Sequence, residues 1–191
     1  MPITPDTDLR ERQWHVEGSS RLMIVHPGVT IPRRVRAWGP LRNVPPAGVD
    51  DSDLGEGFQL EVEAVLSPSL GHYVLSSFSV VAPEDGEVTG LLLRTVTPLG
   101  VMRWILPRTF KLDASALSVA VVDFVAPELK LHRNGPRHGG STIIELADVG
   151  TVYRLATIVR YPPKKAVAET FGFEARTATN WIARARALGL T

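Results

Sequence analysis

A chain of 191 residues, 44% apolar and 21% charged, has the composition of a soluble globular protein and the length of one domain or two small ones. It has no cysteine, which excludes disulfides, a thiolate zinc site and a thiol nucleophile. Its net charge of +1 conceals an asymmetry: residues 1–126 carry eleven Lys and Arg against fifteen Asp and Glu, whereas residues 127–191 carry ten against five. An acidic body with a basic end points to a polyanion partner for the end alone.

The N-terminal stretch MPITPDTDLRERQW is polar and lacks the apolar run of a signal peptide. Residues 1–20 read as a flexible tail, with Trp14 packed back on the body. Arg21 to Val25 (RLMIV) fits a short strand, His26-Pro27-Gly28 a turn, and Val29 to Trp38 a second strand that Pro32 would push to an edge. Gly39 to Gly57 reads as a long exposed loop. From Phe58 to Leu66 the apolar residues Phe58, Leu60, Val62, Ala64 and Leu66 alternate with Gln59, Glu61 and Glu63, the period of a half-buried strand. Ser67 to Gly71 is a turn, and His72 to Val81 returns to complete an antiparallel hairpin.

Thr89 is placed to cap a short helix through Arg94, and Thr97-Pro98 starts a second that runs to about Leu106. Residues 108–126 are ambiguous: Ser118 to Val125 is β-branched enough for a strand, yet Asp113 could equally cap a helix. The longest apolar-rich stretch, Ala116 to Ala126, contains Asp123 and is too short to span a bilayer, so a cytoplasmic protein without a membrane partner is expected. Pro127 to Gly140 combines Pro, Gly and basic residues and reads as a linker.

The remaining residues, 141–191, read as three helices. Thr142-x-x-Glu145 fits a capping box for the first, with Ile143, Leu146, Val149, Tyr153 and Ile158 as its apolar stripe. Gly150 weakens that helix by about 1 kcal/mol relative to alanine, and Tyr161 before Pro162 ends it. The second helix runs from Pro163 to about Thr170, with Val167 and Phe171 on one side, and Gly172 supplies the turn that follows. The third runs from about Ala175 to Leu188. At about 100° per residue, Ala178, Trp181, Ile182, Ala185 and Leu188 share a face that must be buried. The opposite face holds Arg176, Thr179, Asn180, Ala183, Arg184 and Ala187: guanidinium forks and an amide suited to base edges, with alanines that permit close approach.

The run KKAVAETFG…TATNWIARARALGL resembles the C-terminal helix-turn-helix of a widespread group of actinobacterial and actinophage DNA-binding proteins. Members similarly place a basic or polar pair before Ala-Val-Ala, then a glycine turn, then Thr-Ala-x-x-Trp-x-x-x-Ala-Arg. The segment GEVTGLLLR (Gly86 to Arg94) is similar to one often found upstream in that group. Phe173-Glu174 departs from the small or basic pair that members often carry, which sets an acidic side chain near the start of the third helix. The resemblance implies sequence-specific DNA binding in transcription or mobile-element control, and no enzymatic activity.

Other constellations lead nowhere. Asp50-x-Ser52-x-Leu54-Gly55-x5-Glu61 echoes a calcium loop, but leucine at the fifth place offers no ligand oxygen, so an acidic turn is expected. His15, His26, His72, His132 and His138 show no metal spacing, and no GxSxG, P-loop or dinucleotide pattern occurs. No catalytic residue, metal or cofactor is therefore expected.

The sequence thus predicts an α+β protein: a tail (1–20), a β-rich α+β domain with one or two short helices (21–126), a linker (127–140) and a small all-α helix-turn-helix domain (141–191). Lys164, Lys165, Arg184 and Arg186 are the candidates for phosphate contact, although Arg186 lies near the buried face and could simply be solvated. Arg176, Thr179 and Asn180 are the candidates for base contact; Thr177, between the two faces, could cap locally or touch phosphate. Double-stranded DNA bound by a homodimer is the expected partner, with the acidic domain open to an effector of unknown kind. The alternative is a non-enzymatic accessory protein whose C-terminal helices dock another protein.

Overall fold

The structure, a computed structural model, describes residues 2–3, 13–41, 57–126 and 146–191. The linker 127–140, the capping box Thr142/Glu145, Ile143 and the loop around Asp50 to Gly55 lie outside the described residues. In chain order the strands are β1 (Pro2–Ile3), β2 (His15–Gly18), β3 (Leu22–His26), β4 (Val29–Pro32), β5 (Arg34–Pro40), β6 (Gln59–Ser67), β7 (His72–Val81) and β8 (Lys111–Asp113). The helices are α1 (Gly90–Thr95), α2 (Pro98–Ile105), α3 (Val119–Val125), α4 (Leu146–Ile158), α5 (Pro163–Phe171) and α6 (Ala175–Ala187). The fold is mixed α+β, with its strands toward the N-terminus and most of its helices toward the C-terminus. The residues group into two compact units, one drawn from Met1–Ile3, Ile24–Thr30 and Lys111–Thr191, the other from Thr4–Met23 and Ile31–Phe110.

The second of these units is built on an antiparallel sheet of order β2-β5-β6-β7. Its clearest strand follows the alternation in the sequence: Leu60, Val62, Ala64 and Leu66 are buried, and the residues between them face outward. β6 and β7 pair as the expected hairpin, with an irregularity at Glu63/Ala64 where Ser76 is the extra residue. The Ser76 hydroxyl donates to the Glu63 carbonyl at 3.0 Å and so occupies an acceptor the bulge would otherwise leave open. The Tyr73 hydroxyl, buried, donates to the Pro32 carbonyl.

Residues 1–20 are not simply a tail. Pro2–Ile3 pairs with β8, and His15–Gly18 pairs with β5 in the register His15↔Trp38. The anchor for the second pairing is Trp14, 3% exposed and edge-on to Trp104 at 5.3 Å. A large ring buried next to β2 fixes a segment whose polar composition alone suggests fraying. Val29 to Trp38, expected as one strand, is two: the chain leaves a sheet of order β1-β8-β4-β3 after Pro32 and enters β5 at Arg34. Proline cannot donate to a ladder, so the break falls beside it.

The ambiguity over residues 108–126 resolves into a strand, a 3-10 turn and a helix. The Asp113 carboxylate accepts from the Ser115 backbone N–H at 3.1 Å and caps the turn Ala114–Ala116. Ser118 then caps α3 through Val121 N–H at 3.4 Å, and Val121 and Val125 are buried, so the β-branched run is helical. Thr89 caps α1 as expected, and Pro98 opens α2, which passes into a 3-10 turn at Leu106–Thr109.

Candidate nucleic-acid interface

The C-terminal helices form around α4. Val149, Val152, Leu155, Ala156 and Val159 are fully or almost fully buried, and α4 packs against both α5 and α6. Its buried Thr151 donates its hydroxyl to the Ala147 carbonyl at 2.8 Å, so the proton of that side chain has an acceptor inside the helix. Tyr153, expected in the apolar stripe, is instead half-buried at the edge of α4.

All three helices stop by the same device. Arg160 (φ 58°), Gly172 (φ 69°) and Gly189 (φ 69°) turn the backbone left-handed. The next N–H then reaches five residues back: Tyr161 to the Ala156 carbonyl, Phe173 to Ala168, and Leu190 to Ala185, at 2.9, 2.9 and 3.0 Å. This closure satisfies carbonyls that a helix end leaves open. After Gly172 only Phe173 and Glu174 intervene before α6, so α5 and α6 are joined by a three-residue turn.

Helix α6 is sharply two-faced. Ala178, Ile182 and Ala185 are buried, while Arg176, Thr177, Thr179, Asn180, Ala183, Arg184 and Ala187 are all exposed. The face expected to be buried is narrower than the sequence suggests. Trp181 is half-buried, and Leu188 is 65% exposed because the helix ends at Ala187 and Gly189 swings the chain away. Thr179 donates its hydroxyl to the Ala175 carbonyl at 2.9 Å, which commits its proton but leaves its oxygen able to accept. Glu174 occupies the N-cap position without capping through its side chain, so its carboxylate stands exposed at the start of α6.

The basic side chains fall into different settings. Lys164 and Lys165 are exposed in the first turn of α5. Lys165 lies 3.7 Å from Glu169 and 5.8 Å from the Tyr161 ring centroid, and the Tyr161 hydroxyl donates to Glu169 at 2.7 Å. Such an exposed pair is worth at most about 1 kcal/mol, so Glu169 competes for Lys165 without immobilising it. Arg184 stacks on Trp181, its guanidinium carbon 4.9 Å from the ring centroid. Trp181 in turn stacks on Phe173 at 5.7 Å, and Phe173 on Phe171 at 5.6 Å. Arg186 is not merely solvated: it lies 4.9 Å over the Tyr153 ring and donates to the Tyr153 hydroxyl.

Tyr153, Phe173 and Trp181 are thus part of this surface, although the sequence reading placed none of them there. The Trp181–Arg184 pair is i, i+3 on one helix and was open to inference. Tyr153 and Arg186 are separated by more than thirty positions, and no local signal joins them. Arg154 adds a further long-range link, donating to the Leu190 carbonyl at 2.9 Å.

Chemically, the exposed stripe offers a guanidinium fork, an amide and two small residues that let a backbone approach. These are the groups that pair with purine edges in a major groove. A concavity of about 210 Å³ lies on the outer face of the other unit's sheet, lined by Arg36, Trp38, Gln59, Leu60, Glu61 and Val81. There the Glu61 carboxylate, 2.5 Å from Arg36 Nε, holds that guanidinium above its ordinary pKa, and the pair offers little net charge to a ligand.

No protein-family model matches the chain, and no curated protein or solved structure matches it either. Among the described residues, no helix is long and apolar enough to cross a membrane.

Proposed function

We propose that the chain is a sequence-specific DNA-binding protein, a regulator of transcription or of a mobile element, which reads the major groove with α6. The observation that carries this reading is the division of α6: Ala178, Ile182 and Ala185 hold it against its neighbours while Arg176, Asn180 and Ala183 stand clear in one stripe. In this helix-turn-helix, Arg176 and Asn180 contact base edges, with Thr177 and Thr179 beside them. Lys164, Lys165, Arg184 and Arg186 neutralise phosphates and release counterions. A single unit of this size covers one half-site, so the protein acts as a homodimer on a near-palindromic operator. It needs no cofactor and performs no catalysis.

A second reading has its own support. Phe171, Phe173 and Trp181 form a partly exposed aromatic ladder, and Leu188 is exposed beside α6, a composition found at protein interfaces as well. Under it, the C-terminal helices dock another protein as an accessory factor.

A titration against pooled duplex DNA at two salt concentrations separates the two. A DNA-binding regulator binds at low salt and weakens steeply as salt rises. Absence of binding at low salt would sink the first reading and leave the second. Selection of bound sequences from a random pool then gives the operator, and a recovered palindrome establishes the dimer.

A further inference from the structure

Two arginines flank the outward stripe of α6, and each is held by an aromatic ring. Positions 184 and 186 are two residues apart, which separates them by about 160° across the outward face at 3.6 residues per turn. Arg176, Asn180 and Ala183 lie between them. On one flank Arg184 rests on Trp181 of the same helix, and Trp181 is backed by Phe173. On the other, Arg186 rests on Tyr153 of α4 at the same 4.9 Å and also donates to its hydroxyl. Both arginines remain exposed residues. An arginine has five N–H donors, so stacking and one hydrogen bond leave several free for an anion.

A helix seated in a B-form major groove has one phosphodiester backbone along each wall, roughly 12 Å apart. An arginine on each flank of the central stripe therefore meets a different strand. Stacking restricts a side chain that otherwise loses considerable rotamer entropy on binding, so the rings lower the cost of fixing each contact. Resting on the DNA-binding reading above, we propose that Arg184 and Arg186 are paired phosphate clamps, one for each strand of a B-form duplex, with Trp181 and Tyr153 as their positioning residues. The ligand this selects is a duplex with an open major groove, over a single strand or an A-form helix whose deep groove side chains cannot enter.

The test uses the full chain and the duplex recovered by selection, with single phosphates replaced by neutral methylphosphonates on one strand at a time. Wild-type protein loses affinity at discrete phosphates on both strands. Within one half-site, Arg184→Ala becomes insensitive to neutralisation of one phosphate on one strand and Arg186→Ala of one phosphate on the other, and each lowers the magnitude of the salt slope by about 0.9 per protomer. Tyr153→Leu loses sensitivity at the same phosphate as Arg186→Ala, and the double variant is no weaker than Arg186→Ala alone. Tyr153→Phe, which keeps the ring, retains that sensitivity and serves as the check that a loss is not one of folding. Mapping of both arginines to one strand of the same half-site, or salt slopes unchanged in both variants, overturns the clamps while wild-type binding still stands. Equal loss in Tyr153→Phe and Tyr153→Leu overturns the role of the ring. A wild-type protein that binds no duplex has already failed the earlier titration, so the two failures are distinct.

Discussion

Adding one methyl group to Gly150 sets two effects against each other. Alanine gains about 1 kcal/mol over glycine in a helix interior. Its Cβ, however, would stand 2.2 Å from the Leu190 carbonyl oxygen and 2.9 Å from the carbonyl carbon, and a backbone contact cannot swing aside as a side chain can. Overpacking of this kind costs about 1–3 kcal/mol, so Gly150→Ala should be destabilised on balance, read as a lower urea midpoint. A stabilised variant would refute the close approach. In the sequence this glycine looks only like a helix defect, since Leu190 lies far along the chain. Gly172 is the opposite case: no atom lies within 4 Å of an added Cβ, and only the backbone at φ 69° objects. Gly172→Ala should therefore cost about 1–2 kcal/mol, with Gly172→Asn recovering part of it. At the interface, Asn180→Ala should relax preference at a single base pair by about 1–3 kcal/mol, whereas Lys164→Ala should weaken all sequences alike. Competition between matched and mismatched duplexes measures both, and indistinguishable behaviour would reject the division between base and phosphate contacts.

Elements differ in how openly the sequence declares them. β6 is legible because one of its faces is buried and the other wet, which writes a period of two into its residues. The helices α1 and α2 are legible through Thr89 and Pro98, whose chemistry acts within a few positions. The Val-rich α3 is not, because β-branched composition and Ser118 as a cap argue for different structures and only burial of Val121 and Val125 decides between them. Ser118→Ala should accordingly cost about 1 kcal/mol, measurable as a shift in thermal midpoint. No effect would mean that packing alone holds the helix. At the candidate site the three helices, the Gly172 turn and the exposed stripe of α6 were all readable from spacing. The narrower buried face was not, because it depends on Gly189 ending the helix before Leu188 can point inward. Nor was the seat of Arg186, which is made by a residue from a different helix.

Each compact unit of the molecule holds a group whose titration is linked to folding. In one, the Ser115 hydroxyl and backbone N–H donate to the Asp113 carboxylate and hold its pKa below the ordinary carboxylate value. A depressed carboxylate stabilises the fold above that value, and the contribution is lost as pH falls from about 4 downward. In the other, burial pushes the Tyr73 hydroxyl well above its ordinary pKa. Its stabilisation is complete below about pH 10 and is lost as pH rises further, because the phenolate would be the form favoured by the unfolded chain. Tyr73→Phe should lose about 1–2 kcal/mol at neutral pH with the Pro32 contact, yet show a shallower alkaline decline. An unchanged alkaline profile would remove Tyr73 from the account. The four tryptophans share this division: Trp14, Trp38 and Trp104 belong to one unit and Trp181 alone to the other. The protein therefore carries its own optical label, a single indole on α6 that, like Trp38, is open to acrylamide, while Trp14 and Trp104, sealed in their edge-on pair, remain out of the quencher's range. A duplex seated on α6 would shade that one chromophore and leave the others as an internal standard.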